Sequence, residues 1–456
     1  VRHDRGSHSG EHGDGIERSE FHRNMFGERI VTAFKEVKTR MDPAGLLNPG
    51  KIVDAPKMDD RSLLRFNADY IVPEFQTVFD WSAWPGAGGG FQGAVEMCNN
   101  NGACRKSAGD VMCPSFRVTG NERDLVRGRA NSLRLAISGQ LGEDALTSDA
   151  MAETMKLCVS CKGCKRECPT SVDMAKMKIE VQAARAKKFD ISLRDRLVGY
   201  LPHYAPYAAK LAGLLNLRNR IPELAWLTEK LTGFAAERPL PKWRRDVFEP
   251  RTSARDLAEA DVILFADTFN LYFEPDNLIA ADTVLRRAGF KVAHAAAPDE
   301  PDGRSRHEQR PLCCGRTFLS AGLVDEAKTE MTRTLKALKP ALDRGAFIVG
   351  LEPSCTFTFR DEALVLVGDL ITGEQAQQFM LFEEFIAMKH EEGALDLDLA
   401  PLPGGKALLH GHCHQKAFNV MTPVQAALGL VPDLEVDVVQ SSCCGMAGSF
   451  GYQAET

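Results

Sequence analysis

The chain holds 456 residues, 44% hydrophobic and 26% charged, enough apolar material for about two to four domains with their own cores. Its net charge of −6 argues against nucleic acid and strongly anionic partners, and no stretch approaches the roughly 18–20 apolar residues that span a bilayer. Thirteen cysteines would mark disulfides in a short secreted protein. At metal-type spacing in a long chain with no signal peptide they indicate a reducing compartment, the cytoplasm or the cytoplasmic face of the membrane. The start at Val1 inside a loop and the stop at Thr456 directly after a cysteine motif predict a piece of a longer protein.

Residues 1–57 begin with Ser7-His8-Ser9-Gly10-Glu11-His12-Gly13-Asp14-Gly15, glycines among short polar residues, which describe a tight loop that lets backbone approach a ligand. The adjacent Glu11 and His12 taken alone read more readily as a solvated pair than as a catalytic one. Ile30, Phe34, Val37 and Met41 recur at three- and four-residue spacing and predict a helix with one apolar face. Asp42-Pro43 stops it, and Asn48-Pro49-Gly50 turns the chain again.

The wording of this segment resembles the end of the FAD-linked oxidase family, the flavin dehydrogenases of D-lactate, glycolate and D-2-hydroxyglutarate. The resemblance rests on Ser9-Gly10-Glu11-His12-Gly13-Asp14-Gly15, Arg18-Ser19-Glu20 and Asp42-Pro43-Ala44-Gly45-Leu46-Leu47-Asn48-Pro49-Gly50-Lys51. It implies a small 2-hydroxy acid as substrate and FAD bound mainly by a segment preceding residue 1. It further implies that Glu11 helps hold a divalent metal such as zinc near the substrate, and that His12 takes the hydroxyl proton as hydride leaves for flavin. Asn48 and Lys51 would lie on the loop facing cofactor and substrate. A neutral imidazole is a competent base near pH 7, and a metal lowers the pKa of an alcohol.

Residues 58–94 read as a connector ending in the flexible Pro85-Gly86-Ala87-Gly88-Gly89-Gly90 run. Residues 95–189 carry Cys158-Val-Ser-Cys161-Lys-Gly-Cys164-Lys-Arg-Glu-Cys168-Pro169, the spacing of the bacterial iron–sulfur run. A zinc ribbon also uses closely spaced cysteines, but four of them ending in Cys-Pro fit zinc poorly. Upstream stand Cys98, Cys104 and Cys113-Pro114. If the two runs cross-ligate as in two-cluster ferredoxins, Cys158, Cys161 and Cys164 share a 4Fe–4S cluster with Cys113. The reciprocal set, Cys98, Cys104 and Cys168, has Asn101 where a middle cysteine belongs. It reads either as a second iron–sulfur site with three thiolates or as a site that has lost its cluster. Helices are predicted over 122–139 and 174–188. Cysteine loops feeding helices resemble the helical ferredoxin modules of succinate dehydrogenase and heterodisulfide reductase types. The neighbouring Arg105, Lys106, Lys162, Lys165 and Arg166 either offset cluster charge or are solvated, and the second reading is preferred.

Residues 190–254 predict amphipathic helices broken by prolines, with Tyr200, Tyr204, Tyr207 and Trp226 packing between domains in preference to lying at a membrane surface. Residues 255–456 alternate strand and helix: strands over 262–265, 290–294, 347–350, 407–409 and 436–439, and helices over 274–288 and 318–342. The pattern predicts a parallel α/β domain in two related halves, the second cut short. Each half carries a Cys-Cys-Gly after a strand, Cys313-Cys314-Gly315 and Cys443-Cys444-Gly445, joined by Cys355 in the first half and by His412-Cys413-His414 in the second. The duplication resembles the cysteine-rich domain of the heterodisulfide reductase, glycerol-3-phosphate dehydrogenase and lactate-utilisation families, which implies a metal or iron–sulfur cluster at the paired cysteines. Thr268 stands where a leading cysteine of the first half would be. The alternative is buried, inert cysteines. The two doublets are expected near one another, with Cys355 and Cys413 completing one shared site or two.

The fold class expected is therefore multidomain α+β: a helical ferredoxin module, a pseudo-duplicated parallel-sheet domain, and the remnant of an FAD-linked oxidase C-terminal domain. The function expected is the iron–sulfur part of a flavin-linked D-2-hydroxy acid dehydrogenase, passing electrons to a quinone or redox protein. This piece alone is expected to be inactive on substrate. Peripheral membrane contact and homo-oligomerisation are both compatible with it. The alternative is an electron-transfer or thiol–disulfide subunit of heterodisulfide reductase type with no flavin, which gives no role to residues 9–15 or 46–51.

Overall fold

In the computed structural model, residues 3–8, 12–64, 70, 76–84, 89–250, 252–296 and 310–456 are described. The chain divides into two compact units, Val1–Ile71 and Val72–Thr456. In the first, Gly27 at φ 81° separates a short helix, His22–Phe26, from a longer one, Glu28–Met41. The apolar face predicted for the longer helix is there but not covered: Val37 is 59% and Met41 81% exposed. So short a segment has too little apolar surface of its own to bury that face. Asp42 closes the helix by accepting from the amides of Leu46 (2.9 Å) and Leu47 (2.8 Å) and from the Lys38 ammonium. Lys38 and those amides hold its carboxyl down at about 2.

The second unit opens with a segment read above as connector, yet Phe79 and Trp81 are buried. The carboxylate of Glu180 explains it, accepting from the amides of Val78 and Phe79 (2.9 Å each) and from the indole Nε1 of Trp81 (2.8 Å). The Gly-rich run at 85–88 lies outside the described residues. Replacing Glu180 by Ala leaves three buried donors without an acceptor. It is expected to cost about 3 kcal/mol, since each orphaned donor costs on the order of 1–3. A urea midpoint equal to that of the parent protein would refute this.

Helices Val126–Ile137, Asp149–Lys156 and Met174–Lys188 then pack around Leu125, Leu133, Met155 and Met177. The helix predicted over 122–139 is interrupted at Leu125, whose extended backbone separates a 3-10 turn, Glu122–Asp124, from the helix proper. Four short helices between Leu193 and Thr232 follow. Their aromatic residues divide: Tyr200 donates to Glu326 (2.9 Å) and packs edge-on against Phe318, while Tyr207 and Trp226 are each more than half exposed. Packing between segments accounts for the first and not for the last two.

The carboxyl part holds a sheet of four parallel strands, β1 (Val262–Phe265), β2 (Val292–His294), β3 (Phe347–Gly350) and β4 (Phe379–Leu381), in the order β2-β1-β3-β4. A separate parallel pair, β5 (Lys406–Leu409) and β6 (Glu435–Val438), follows. The buried, near-continuous apolar runs of β1 and β3 fit a sheet covered on both faces. β4 escapes the sequence pattern because three residues are too few to show a period. The helix predicted over 318–342 breaks at Gly322 (φ 76°), where a Cβ would stand 2.7 Å from the backbone of Gln182. Glycine there lets the sheet domain close onto helix Met174–Lys188. No helix among the described residues is long and apolar enough to cross a membrane.

Candidate functional site

Chemistry-bearing residues gather in three places. In the first unit, His12 is exposed, and Glu11 lies outside the described residues. Asn48, at φ 48°, and Lys51 sit on an exposed turn whose next residue, Ile52, donates to the Gly15 carbonyl at 3.4 Å. The two loops named by sequence thus meet through backbone.

The second place is the cysteine core. Cys113 precedes helix Pro114–Thr119, and its proline suits a helix's first turn. Cys161 and Cys164 flank Lys162, whose left-handed backbone (φ 60°) turns the loop into helix Gly163–Glu167. Burial raises the thiols of Cys161 and Cys164, and charge on Cys113 and Cys158 raises them further, which puts all four within electrostatic reach of one another. Burial pushes Cys113 to about 12, against the pull of Arg129. A buried thiolate without a cation is unfavourable, so such thiols give up their protons readily only to a metal. Four soft donors in one apolar pocket fit an iron–sulfur cluster in ligand number and type. The reciprocal set is looser. Cys98 and Cys104 are buried, and burial, then the charge of Cys98, raises Cys104, while Cys168 is half-buried with its sulfur 3.3 Å from the Thr170 hydroxyl. Asn101 is exposed and folds back to accept from the amide of Ala103 at 2.8 Å.

The basic residues beside these loops are not simply solvated. Lys162 is buried, with its ammonium 2.6 Å from both Asp361 and Glu362. Lys165 (2.7 Å) and Lys176 (2.6 Å) also reach Asp361, and Arg316 reaches Glu362 at 2.7 Å. Burial works against both carboxylates, yet Lys162 and its neighbours hold them below the usual range. Because Arg316 follows Cys313-Cys314-Gly315, this network ties the cysteine loop to the first Cys-Cys-Gly. Arg105 and Lys106 do stay at the surface, as first expected, paired with Glu122, Asp110 and Glu167.

The third place comprises the Cys-Cys-Gly loops, whose thiols fall into two triples. The thiol of Cys314 interacts with those of Cys313 and Cys355. Gly315 makes that corner, since at φ 78° a Cβ would meet the Ala327 carbonyl at 2.8 Å. Cys355 rides on helix Pro353–Arg360 just after β3, and Asp267 caps the helix after the adjacent β1. The site thus lies in the crevice at the carboxyl ends of neighbouring strands. Burial, then the charge of Glu352, pushes Asp267 up to about 6. Thr268 is buried at the start of that helix. The second triple is Cys413, Cys443 and Cys444, with the Cys443 thiol interacting with the other two and drawn down to about 6, first by Cys413. Glu352 links the triples, acting on Cys355 and on His412.

The second triple borders the cysteine core. Cys413 packs with Cys161 and Val111, Cys161 also feels Cys443, and the buried His414 donates from Nε2 to the Ser160 carbonyl at 3.1 Å. Sequence reasoning missed this contact, along with Arg129, Lys178, Asp361 and Glu362. Arg129 was findable, as a charge in the apolar stripe formed with Val126, Ala130 and Leu133. Lys178, which donates to the Cys158 carbonyl, and the Asp361–Glu362 pair carry no local signal.

Two family models match the chain: the C-terminal domain of FAD linked oxidases over residues 2–52, and the 4Fe-4S dicluster domain over residues 94–172. The chain is 26% identical to D-2-hydroxyglutarate dehydrogenase of Escherichia coli K12, across 98% of this chain and 46% of that protein. It is 24% identical to the glycolate oxidase iron-sulfur subunit of the same organism (78% and 80% covered). It is also 25% identical to one of the polypeptides of that organism's anaerobic glycerol-3-phosphate dehydrogenase (60% and 67% covered). The chain spans about half the length of the D-2-hydroxyglutarate dehydrogenases it matches. No solved structure matches.

Proposed function

We propose that this chain, similar over 98% of its length to D-2-hydroxyglutarate dehydrogenases, is the electron-transferring part of a flavin-linked dehydrogenase of D-2-hydroxy acids. The observation that carries the reading is one chain joining an FAD-oxidase segment at 2–52 to a dicluster segment at 94–172. An electron-transfer or thiol–disulfide module without flavin leaves the first segment without a role. The domains in this reading are the flavin-oxidase end (1–57), a link (58–94), the iron–sulfur module (95–189), a helical link (190–254) and the cysteine-rich domain (255–456).

FAD would supply a hydride acceptor for the substrate carbon, and the iron–sulfur centre would supply one-electron transfer. His12 would take the hydroxyl proton, and Glu11 would help hold a divalent metal that would supply acidity to that hydroxyl. Asn48 and Lys51 shape the facing turn. Cys113, Cys158, Cys161 and Cys164 hold the 4Fe–4S cluster, and Cys98, Cys104 and Cys168 a second one. The triples Cys313, Cys314, Cys355 and Cys413, Cys443, Cys444 hold a metal or cluster on the way to a quinone or redox protein. The chain works in the cytoplasm or against the membrane's cytoplasmic face.

The test is His12→Ala in the flavin-containing polypeptide. Flavin reduction by a D-2-hydroxy acid, followed by stopped flow, is expected to slow by about a hundredfold or more. Reduction at the native rate would remove His12 from the chemistry and the substrate reading with it.

A further inference from the structure

We propose that His8, Asp14 and His22 form a divalent-cation site of zinc type that pins the amino-terminal loop to helix His22–Phe26. One ligand atom from each of the three lies within 4.8 Å of the others. The His22 side chain is 2% exposed and that of Asp14 14%, and His22 Nε2 stands 2.8 Å from Asp14 Oδ2. The two imidazoles face each other with centroids 5.5 Å apart. Both ring nitrogens of His8, and Nδ1 of His22, are shielded from solvent and meet no hydrogen-bond partner among the described residues. Buried polar atoms without partners are the exception in folded proteins and point to a bound species.

The chemistry of the donors says which species. Two imidazoles offer nitrogen lone pairs and the Asp14 carboxylate an oxygen, a donor set that suits a cation. Mixed nitrogen and oxygen ligands favour zinc and its transition-metal neighbours over magnesium or calcium. Phe26 closes the site from one side, 5.4 Å from His22 and 5.9 Å from His8 between ring centroids. Three protein ligands leave a fourth position open, as in zinc sites that also hold a water or a small anion. Glu11 and His12 lie between His8 and Asp14 in the sequence. None of the three donors is assigned to substrate chemistry above, and the inference stands independently of that reading.

The test uses the whole chain, purified without oxygen and titrated with Zn²⁺, with bound zinc counted by mass spectrometry and its ligands read from zinc K-edge X-ray absorption. That edge is blind to iron, so iron–sulfur centres do not interfere. The expected result is a zinc with nitrogen and oxygen neighbours, counted as the one zinc that the parent chain binds and His8→Gln does not. His8→Gln and Asp14→Asn should each weaken it at least about tenfold, while a change at the exposed His3, His3→Gln, leaves it unchanged. His8 is only half-buried, so its variant is expected to fold, with circular dichroism as the check. Two outcomes overturn the proposal: a parent chain with no such zinc, or a folded His8→Gln chain that binds it as tightly as the parent.

Discussion

Cys164→Ser is expected to strip the chain of its cubane cluster, while Cys168→Ser leaves that cluster in place. Both residues belong to the same run, and cross-ligation already assigns them to different sets. The environments differ. Cys164 is buried, within reach of the charges on Cys113, Cys158 and Cys161, and backed by the apolar core. Cys168 is half-buried, with its sulfur beside the Thr170 hydroxyl. A cubane needs four thiolates around one centre, and losing one of a closed set weakens binding steeply. Iron and sulfide in Cys164→Ser should fall by one cluster, about four irons per chain, and the corresponding resonance of the reduced protein should vanish. The same loss is expected for Cys113→Ser, 51 residues upstream of Cys164 by chain number. Retention of the full iron content and signal in either variant would refute the assignment of the four ligands.

Asp361→Ala is expected to destabilise the second unit by about 3–5 kcal/mol, the range for breaking a buried ion pair by removing one partner. Three ammonium groups converge on this carboxylate, and Lys162 is as buried as Asp361 itself, each 2% exposed. Removing the anion leaves Lys162 with Glu362 alone, which Arg316 already shares. The network also sets a pH window. Burial acts to raise Asp361, but Lys162, Lys176 and Lys165 hold it well below the ordinary 3.8. Its folded value is thus lower than its unfolded one, so its contribution is present above about pH 4 and is lost as pH falls through the folded value. Lys176 runs the other way. Burial lowers it most, but Asp361, Asp173 and Glu362 together outweigh burial, and it ends above the ordinary 10.5. Its contribution is complete below that value and is lost as pH rises through the folded one. Asp173, raised by burial and by the charge of Asp361, opposes the acid-side trend. A stability plateau between about pH 4 and 10.5 is expected, extended on the acid side in Glu362→Gln, which removes one of the lowered carboxylates whose protonation ends it. An Asp361→Ala chain with the parent's urea midpoint at neutral pH would show that the lysines are satisfied without it.

Much of this molecule is legible one residue at a time. The ligand spacing from Cys158 to Cys168, the strands β1 and β3, the helix Met174–Lys188 and the loop words around His12 and Asn48 are local patterns, and local patterns follow from backbone geometry. Three thiols separated by two residues each can reach one centre whatever surrounds them. Which groups become neighbours across long stretches of chain is a matter of packing alone. Lys162 meets Asp361 at a separation of 199 residues and His414 meets Ser160 at 254. No periodicity marks either pair. The cysteine doublets were legible as pairs, but their division into two triples, with Cys413 seated against Cys161, depends on how the sheet domain closes over the cysteine core. The burial of Lys162 has the same origin, since a lysine beside a cysteine loop looks solvated until another segment supplies its carboxylates. Burial and charge pairing are properties of segments brought together, and the cost of desolvating an ion makes them all-or-none.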